Sequence, residues 1–239
     1  MIDLLLYLLF LFALLVGLIA QIRVSTTFRR YSRTPTASGK TAAEVARMIL
    51  DNHGLSHVRI ERVSGHLTDH YDPRDEVLRL SDSVYDSPSA AAVGVAAHEA
   101  GHAVQHAENY APIVLRSKLV PVTNFASRAS WIFILIGALL YAIATATSFA
   151  MLGYILLWVG VILYSSTAVF QLVTLPCEFN ASARAMSSMR ESGMFSAADL
   201  RAARKTLSAA AMTYVAALFA SVVQLLRILW IFFGNRRRR

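Results

Sequence analysis

His98 and His102 stand four positions apart in the run His98-Glu99-Ala100-Gly101-His102. On an α-helix residues four apart share a face, so both imidazoles can reach one metal ion. Neutral imidazole suits Zn2+, and a water held in an open position of that ion gives up its proton near neutral pH. Glu99, beside them, is suited to take that proton as general base and pass it to a leaving amine. The plain alternative is a pair of solvated helix histidines.

The flanking sequence predicts the helix this chemistry needs. Ser87-Pro88-Ser89 offers a cap followed by proline at the first helical position, and the alanine-rich stretch from 90 to 107 has no further proline. Ala91, Val95, His98, His102 and His106 fall on one stripe. Gly101 and the alanines at 96, 97, 100 and 103 leave room for another helix to approach closely.

Two histidines leave a catalytic zinc one protein ligand short. The single cysteine, Cys177, excludes an internal disulfide and a cysteine-based zinc cage. Composition points to a bilayer instead: 56% of residues are apolar and 16% charged. Residues 4–22 are long and apolar enough to span. Asp3 in place of a positive n-region, and no small-x-small cleavage site, argue for a retained helix rather than a signal peptide. Residues 129–177 carry no charge over 49 positions, about 74 Å as one helix, so they must cross twice. A break is expected between Thr145 and Gly153. Polar Ser165, Ser166, Thr167 and Gln171 are expected to hydrogen-bond between helices. This double crossing returns the chain to the side of His98 and delivers Glu178, assigned as third ligand with Glu191 and Glu108 as fallbacks. Residues 207–233 read as a fourth span with Arg227 snorkelling, or as an interfacial helix over 225–233.

Before the metal-binding helix, Thr41 and Glu44 form a capping box, Val45, Met48 and Ile49 an apolar face, and Gly54 a stop. Residues 58–63 and 77–80 alternate as strands, with turn chemistry at Asp72-Pro73-Arg74-Asp75. The polar loop 65–71 supplies His70 and Tyr71 as candidate catalytic donors, against the plain reading of a hairpin loop. The expected fold is thus a mainly α membrane protein with about four transmembrane helices and a small α+β zincin-like domain. Its parts are an N-terminal span (1–23), an α+β domain (36–120), a two-span hairpin (129–177), a helical segment with the third ligand (178–206) and a C-terminal helix (207–235).

Three stretches together resemble the YugP-like neutral zinc metallopeptidases of bacterial membranes. They are Gly65-His66-Leu67-Thr68-Asp69-His70-Tyr71-Asp72-Pro73, Ala97-His98-Glu99-Ala100-Gly101-His102-Ala103 and Leu175-Pro176-Cys177-Glu178-Phe179-Asn180-Ala181-Ser182. The likeness covers about residues 38–193 and implies a gluzincin-type site whose third ligand is a downstream glutamate. In related membrane proteases that glutamate is followed by alanine and then aspartate. Ala181 matches, but Ser182 replaces the aspartate, and Asp69 is the candidate to orient an imidazole in its stead.

The implied function is a membrane-embedded zinc metalloendopeptidase acting on a peptide or membrane-protein substrate, which would add to an edge strand near Leu78 to Leu80. A non-catalytic, zinc-stabilised scaffold or chaperone-like protein is the second reading, disfavoured because metal binding alone does not need Glu99. A transporter would want ionisable groups inside its spans, and the first three have almost none. The net charge of +8 flanks apolar segments, so anionic lipid is the expected counterpart rather than nucleic acid. Thirteen Lys/Arg between Arg23 and Arg128, and five between Arg184 and Lys205, put the site on the cytoplasmic face of the cell membrane. Arg236 to Arg239 would then lie outside if the last segment crosses, against the same rule. An interfacial last segment removes that conflict. Substrate identity and oligomeric state are not written in the sequence.

Overall fold

The structure, a computed structural model, describes residues 1–143 and 147–234. Its elements in chain order are α1 (Ile2–Tyr31), α2 (Ala42–Asn52), β1 (Arg59–Val63), β2 (His70–Asp72), β3 (Val77–Ser81), α3 (Ala90–Ala107), α4 (Ala111–Ile143), α5 (Thr147–Glu191) and α6 (Ala197–Phe233). The protein is a mainly α membrane protein with a small mixed sheet. Four helices, α1, α4, α5 and α6, are long and apolar enough to cross a bilayer.

The apolar stretches are cut short by hydropathy but not by the backbone. A helix continues as long as its own hydrogen bonds are made, whichever solvent surrounds it. So α1 runs on through Arg23, Arg29 and Arg30, and α5 runs 45 residues, about 68 Å, past the apolar stretch to Glu191. Residues 178–206 are accordingly the end of α5 and the beginning of α6, joined by a turn at 192–196. Ser196 and Asp199 cap α6 reciprocally: Asp199 N–H donates to Ser196 Oγ at 3.2 Å and Ser196 N–H to Asp199 Oδ2 at 2.9 Å. α4 ends at Ile143 and α5 begins at Thr147, so the change of helix falls at the early edge of the stretch from Thr145 to Gly153 in which a break is expected. Thr145 lies outside the described residues, and Gly153 stands inside α5.

The described residues form two compact units. One comprises Met1–Leu18, Leu115–Thr174 and the chain from Tyr214 onward. Here α4 and α5 meet through glycine: a Cβ on Gly137 would lie 2.8 Å from the carbonyl of Gly153, and small residues allow such close helix packing in lipid. Trp158 stacks on Phe233 with centroids 4.2 Å apart, and Arg227 sits over the Phe10 ring at 4.8 Å. Ser165 and Ser166 donate to carbonyls of their own helix, Ile162 O at 2.7 Å and Leu163 O at 2.6 Å. Among the described residues these two serines give their protons to the preceding turn of their own helix rather than to another helix, because that turn is the nearer acceptor.

The other unit comprises Ile19–Val114 and Leu175–Thr213. Thr41 caps α2 as expected, with Glu44 N–H donating to Thr41 Oγ1 at 3.3 Å and Thr41 N–H to Glu44 Oε2 at 2.7 Å. Gly54, at φ +73°, turns the chain out of α2. The sheet order is β1-β3-β2, with β1 parallel and β2 antiparallel to β3. β3 is therefore central and buried, not an edge for substrate; its neighbours occupy both of its hydrogen-bonding sides. Arg79 on β3 ties the sheet, reaching Asp72 at 3.1 Å, Asp75 at 2.9 Å and Glu61 at 3.6 Å. Ile49, Leu50, Leu78, Leu80, Ala96 and Met189 belong to the buried core under α3. That helix is capped by Ser89, whose Oγ accepts from Ala92 N–H, so it starts two residues later than Ser87-Pro88 suggests. Its small residues are sites of close approach. A Cβ on Gly94 would stand 3.2 Å from Ala203 Cβ, and one on Gly101 only 2.8 Å from Ala181 O.

Candidate metal centre

α3 presents His98 and His102 one turn apart, with ring centroids 4.7 Å apart. Because Gly101 lets α5 come in, Glu178 reaches both rings. Its Oε2 lies 3.1 Å from His98 Nε2 and 3.5 Å from His102 Nε2. Glu178 is 2% exposed. The three ligand atoms lie within 4.8 Å of one another.

A second set of contacts fixes how the rings face. The Gln105 amide NH2 donates to Cys177 O and to Asn180 Oδ1, each at 2.9 Å. Arg184 Nε also donates to Asn180 Oδ1, at 2.7 Å, which settles that amide's orientation. Gln105 Oε1 is thereby left to accept from His102 Nδ1 at 2.9 Å. The His102 proton is assigned to Nδ1 by these partners, and Nε2 turns its lone pair towards Glu178. On the other ring, His98 Nδ1 meets Ser182 Oγ at 3.1 Å.

A lone pair facing a carboxylate calls for a cation between them or a second proton on the ring. Zinc fits. Ligands at about 2.1 Å from a tetrahedral ion stand about 3.4 Å apart, close to the two spacings seen here, and two imidazoles with one carboxylate are a common catalytic donor set. The outward nitrogens are held by Ser182 and Gln105, as metal-binding histidines ordinarily require.

Glu99 follows His98 on α3 and retains some exposure. Among the described residues its carboxylate makes no hydrogen bond. Burial by the surrounding protein pushes its carboxyl above the ordinary value, while the neighbouring imidazoles pull the other way. A carboxylate beside the ligands and free of a fixed partner can accept and release a proton.

The fallback ligands are engaged elsewhere. Glu108 pairs with Arg184 at 2.6 Å, and Glu191 accepts from Ser187 at 2.6 Å. Asp69 does not orient an imidazole; Ser81 N–H and Oγ donate to its carboxylate at 2.7 and 3.0 Å. His70 and Tyr71 turn out to lie on a strand, β2, rather than in a loop. His70 is exposed, with Nδ1 2.9 Å from Thr68 O. Tyr71 is half-buried, its ring 5.6 Å from that of His106, one turn beyond His102 on α3. Burial pushes the Tyr71 phenol up, which keeps it a hydrogen-bond donor.

The sequence reading missed Gln105, Asn180 and Arg184. Gln105 lies at the i+3 position from His102, a signal that could have singled it out. Gln105→Leu is expected to free the His102 ring and weaken zinc binding about 10- to 100-fold, measured by chelator competition. Unchanged affinity would show that Gln105 does not orient the ligand.

Over 217 residues the chain is 46% identical to a protein of Bacillus subtilis (strain 168) described as "Putative membrane protease YugP", covering 91% of this chain and 92% of that one. No solved structure matches. The profile of the family described as "Putative neutral zinc metallopeptidase" matches residues 6–233, nearly the whole chain, and the protein belongs to that family.

Proposed function

We propose that the protein is a membrane-embedded zinc endopeptidase with its active site at the cytoplasmic face of the cell membrane. The observation that carries this reading is the meeting of His98, His102 and Glu178 beside a Glu99 that none of them engages. In this reading the three hold zinc, with Glu178 balancing part of its charge, in the manner of the gluzincin class. A zinc held by these residues would supply Lewis acidity, to acidify a water and polarise a peptide carbonyl. Glu99 takes the water's proton on its carboxylate and delivers it to the leaving amine nitrogen as the C–N bond breaks. Gln105 and Ser182 keep the two rings in register through that step. Tyr71, with His70 beside it, is the candidate donor to the carbonyl oxygen as it gains charge. An extended peptide would pair with the outer edge of β2, since β3 is enclosed.

Purified protein should carry about one zinc per chain, and His98→Ala or His102→Ala should lose it, because two remaining ligands hold the ion poorly. Full occupancy in His102→Ala would contradict the ligand set. Sidedness is tested by cysteine labelling in intact cells. Ser64 and Ser192 should label from the cytoplasm and Ser148 from outside; labelling of Ser64 and Ser192 from opposite faces would refute the proposed topology.

A further inference from the structure

One turn from the metal ligands, the C-terminal part of α5 and the N-terminal part of α6 enclose a cleft of about 460 Å³. Its wall includes Ser182, the residue that holds His98 Nδ1, so anything in the cleft lies beside a ligand's support. The lining changes character along its length. Phe179 and Met212 lie towards the ends of the two helices that continue into apolar stretches, Met186 and Leu207 form the middle, and Arg190 and Arg204 lie at the far end. Phe179 is 49% exposed and Met212 45%, which gives that end of the cleft an apolar surface. From Phe179 to Arg190 the helix rises about 16 Å, the length of about five extended residues.

The two arginines differ from their neighbour. Arg184 is engaged by Glu108, whereas among the described residues Arg190 and Arg204 pair with no carboxylate. Two guanidiniums lining one cleft, neither paired with a carboxylate among the described residues, favour a negative group there. We propose that this cleft is the peptide subsite beside the metal centre, taking a substrate segment with apolar residues at the Phe179 end and a carboxylate between Arg190 and Arg204. It rests on the peptidase reading for the identity of its occupant. It names the substrate class: a segment leaving the membrane whose apolar residues are followed, about five positions on, by Asp or Glu.

The test uses full-length protein in phosphatidylcholine nanodiscs, with Glu99→Gln so that bound peptide is not consumed. The probes are two fluorescein-labelled peptides with leucine at one end and, five residues on, either glutamate or lysine; binding is read by anisotropy. The glutamate peptide should bind about tenfold more tightly than the lysine peptide, as two exposed ion pairs allow. Arg190→Glu with Arg204→Glu should invert that preference, and Arg190→Gln with Arg204→Gln should abolish it. Equal loss of both peptides in both variants would show a structural role and overturn the proposal, as would absence of preference in the unsubstituted cleft. So would loss of the preference when phosphatidylglycerol is added, because the occupant would then be lipid. Intact preference in a protein whose Glu99-bearing form cleaves neither peptide would support the cleft and count against the peptidase reading alone.

Discussion

Glu99→Gln is expected to keep its zinc and lose peptide cleavage by about a hundred- to ten-thousand-fold. The amide has nearly the carboxylate's shape, so the helix and the ligands on either side should not move. What it lacks is the ability to accept the water's proton. Glu178→Gln should behave differently. Its carboxylate faces both Nε2 atoms from a buried position, and a neutral amide binds zinc more weakly and leaves its charge unbalanced. Zinc content and cleavage of both variants, measured in one detergent, separate the two roles. Cleavage undiminished in Glu99→Gln would remove the proposed base.

Gly101→Val should cost both stability and metal. The first carbon of any side chain at 101 would stand 2.8 Å from the Ala181 carbonyl, a backbone atom with no rotamer to move into. Glycine-to-alanine within a helix ordinarily gains about 1 kcal/mol in propensity, but overpacking a tight contact costs about 1–3 kcal/mol. The contact wins, and more so for valine, whose branches fill the space that α5 occupies. Relief requires α5 to retreat from α3, and Glu178 and Ser182 retreat with it. Both Tm and zinc affinity should fall. A Gly101→Ala protein that is more stable and fully metallated would show that the helices do not approach as described.

These two outcomes follow from features of different visibility. The placing of His98 and His102 on one helix face was legible because helical spacing is local and the chemistry proposed for them is carried by residue type. The meeting of Glu178 with them was expected from an argument about membrane crossings, in which a charge-free run of known length sets the parity of its ends. The four apolar helices were visible for the same reason, whereas their true lengths were not. Hydropathy marks where lipid ends, and α5 continues beyond it to Glu191. β2 was hidden because three polar residues, His70 to Asp72, carry no alternation long enough to read. The parallel pairing of β1 with β3 skips over it, and the turn at Asp72-Pro73-Arg74-Asp75 joins β2 to β3. The supports of the histidines were invisible for a further reason. Gln105 reaches Asn180 across 75 residues, and only the meeting of α3 with α5 gives that amide its task.

The most direct measurement is cleavage of casein and of a membrane-protein substrate by the purified protein, with zinc counted in the same sample. Chelation should remove about one zinc per chain and abolish cleavage, and restoring zinc should return both. Cleavage that survives complete removal of the metal would contradict the account, and so would full zinc occupancy with no cleavage of varied membrane substrates.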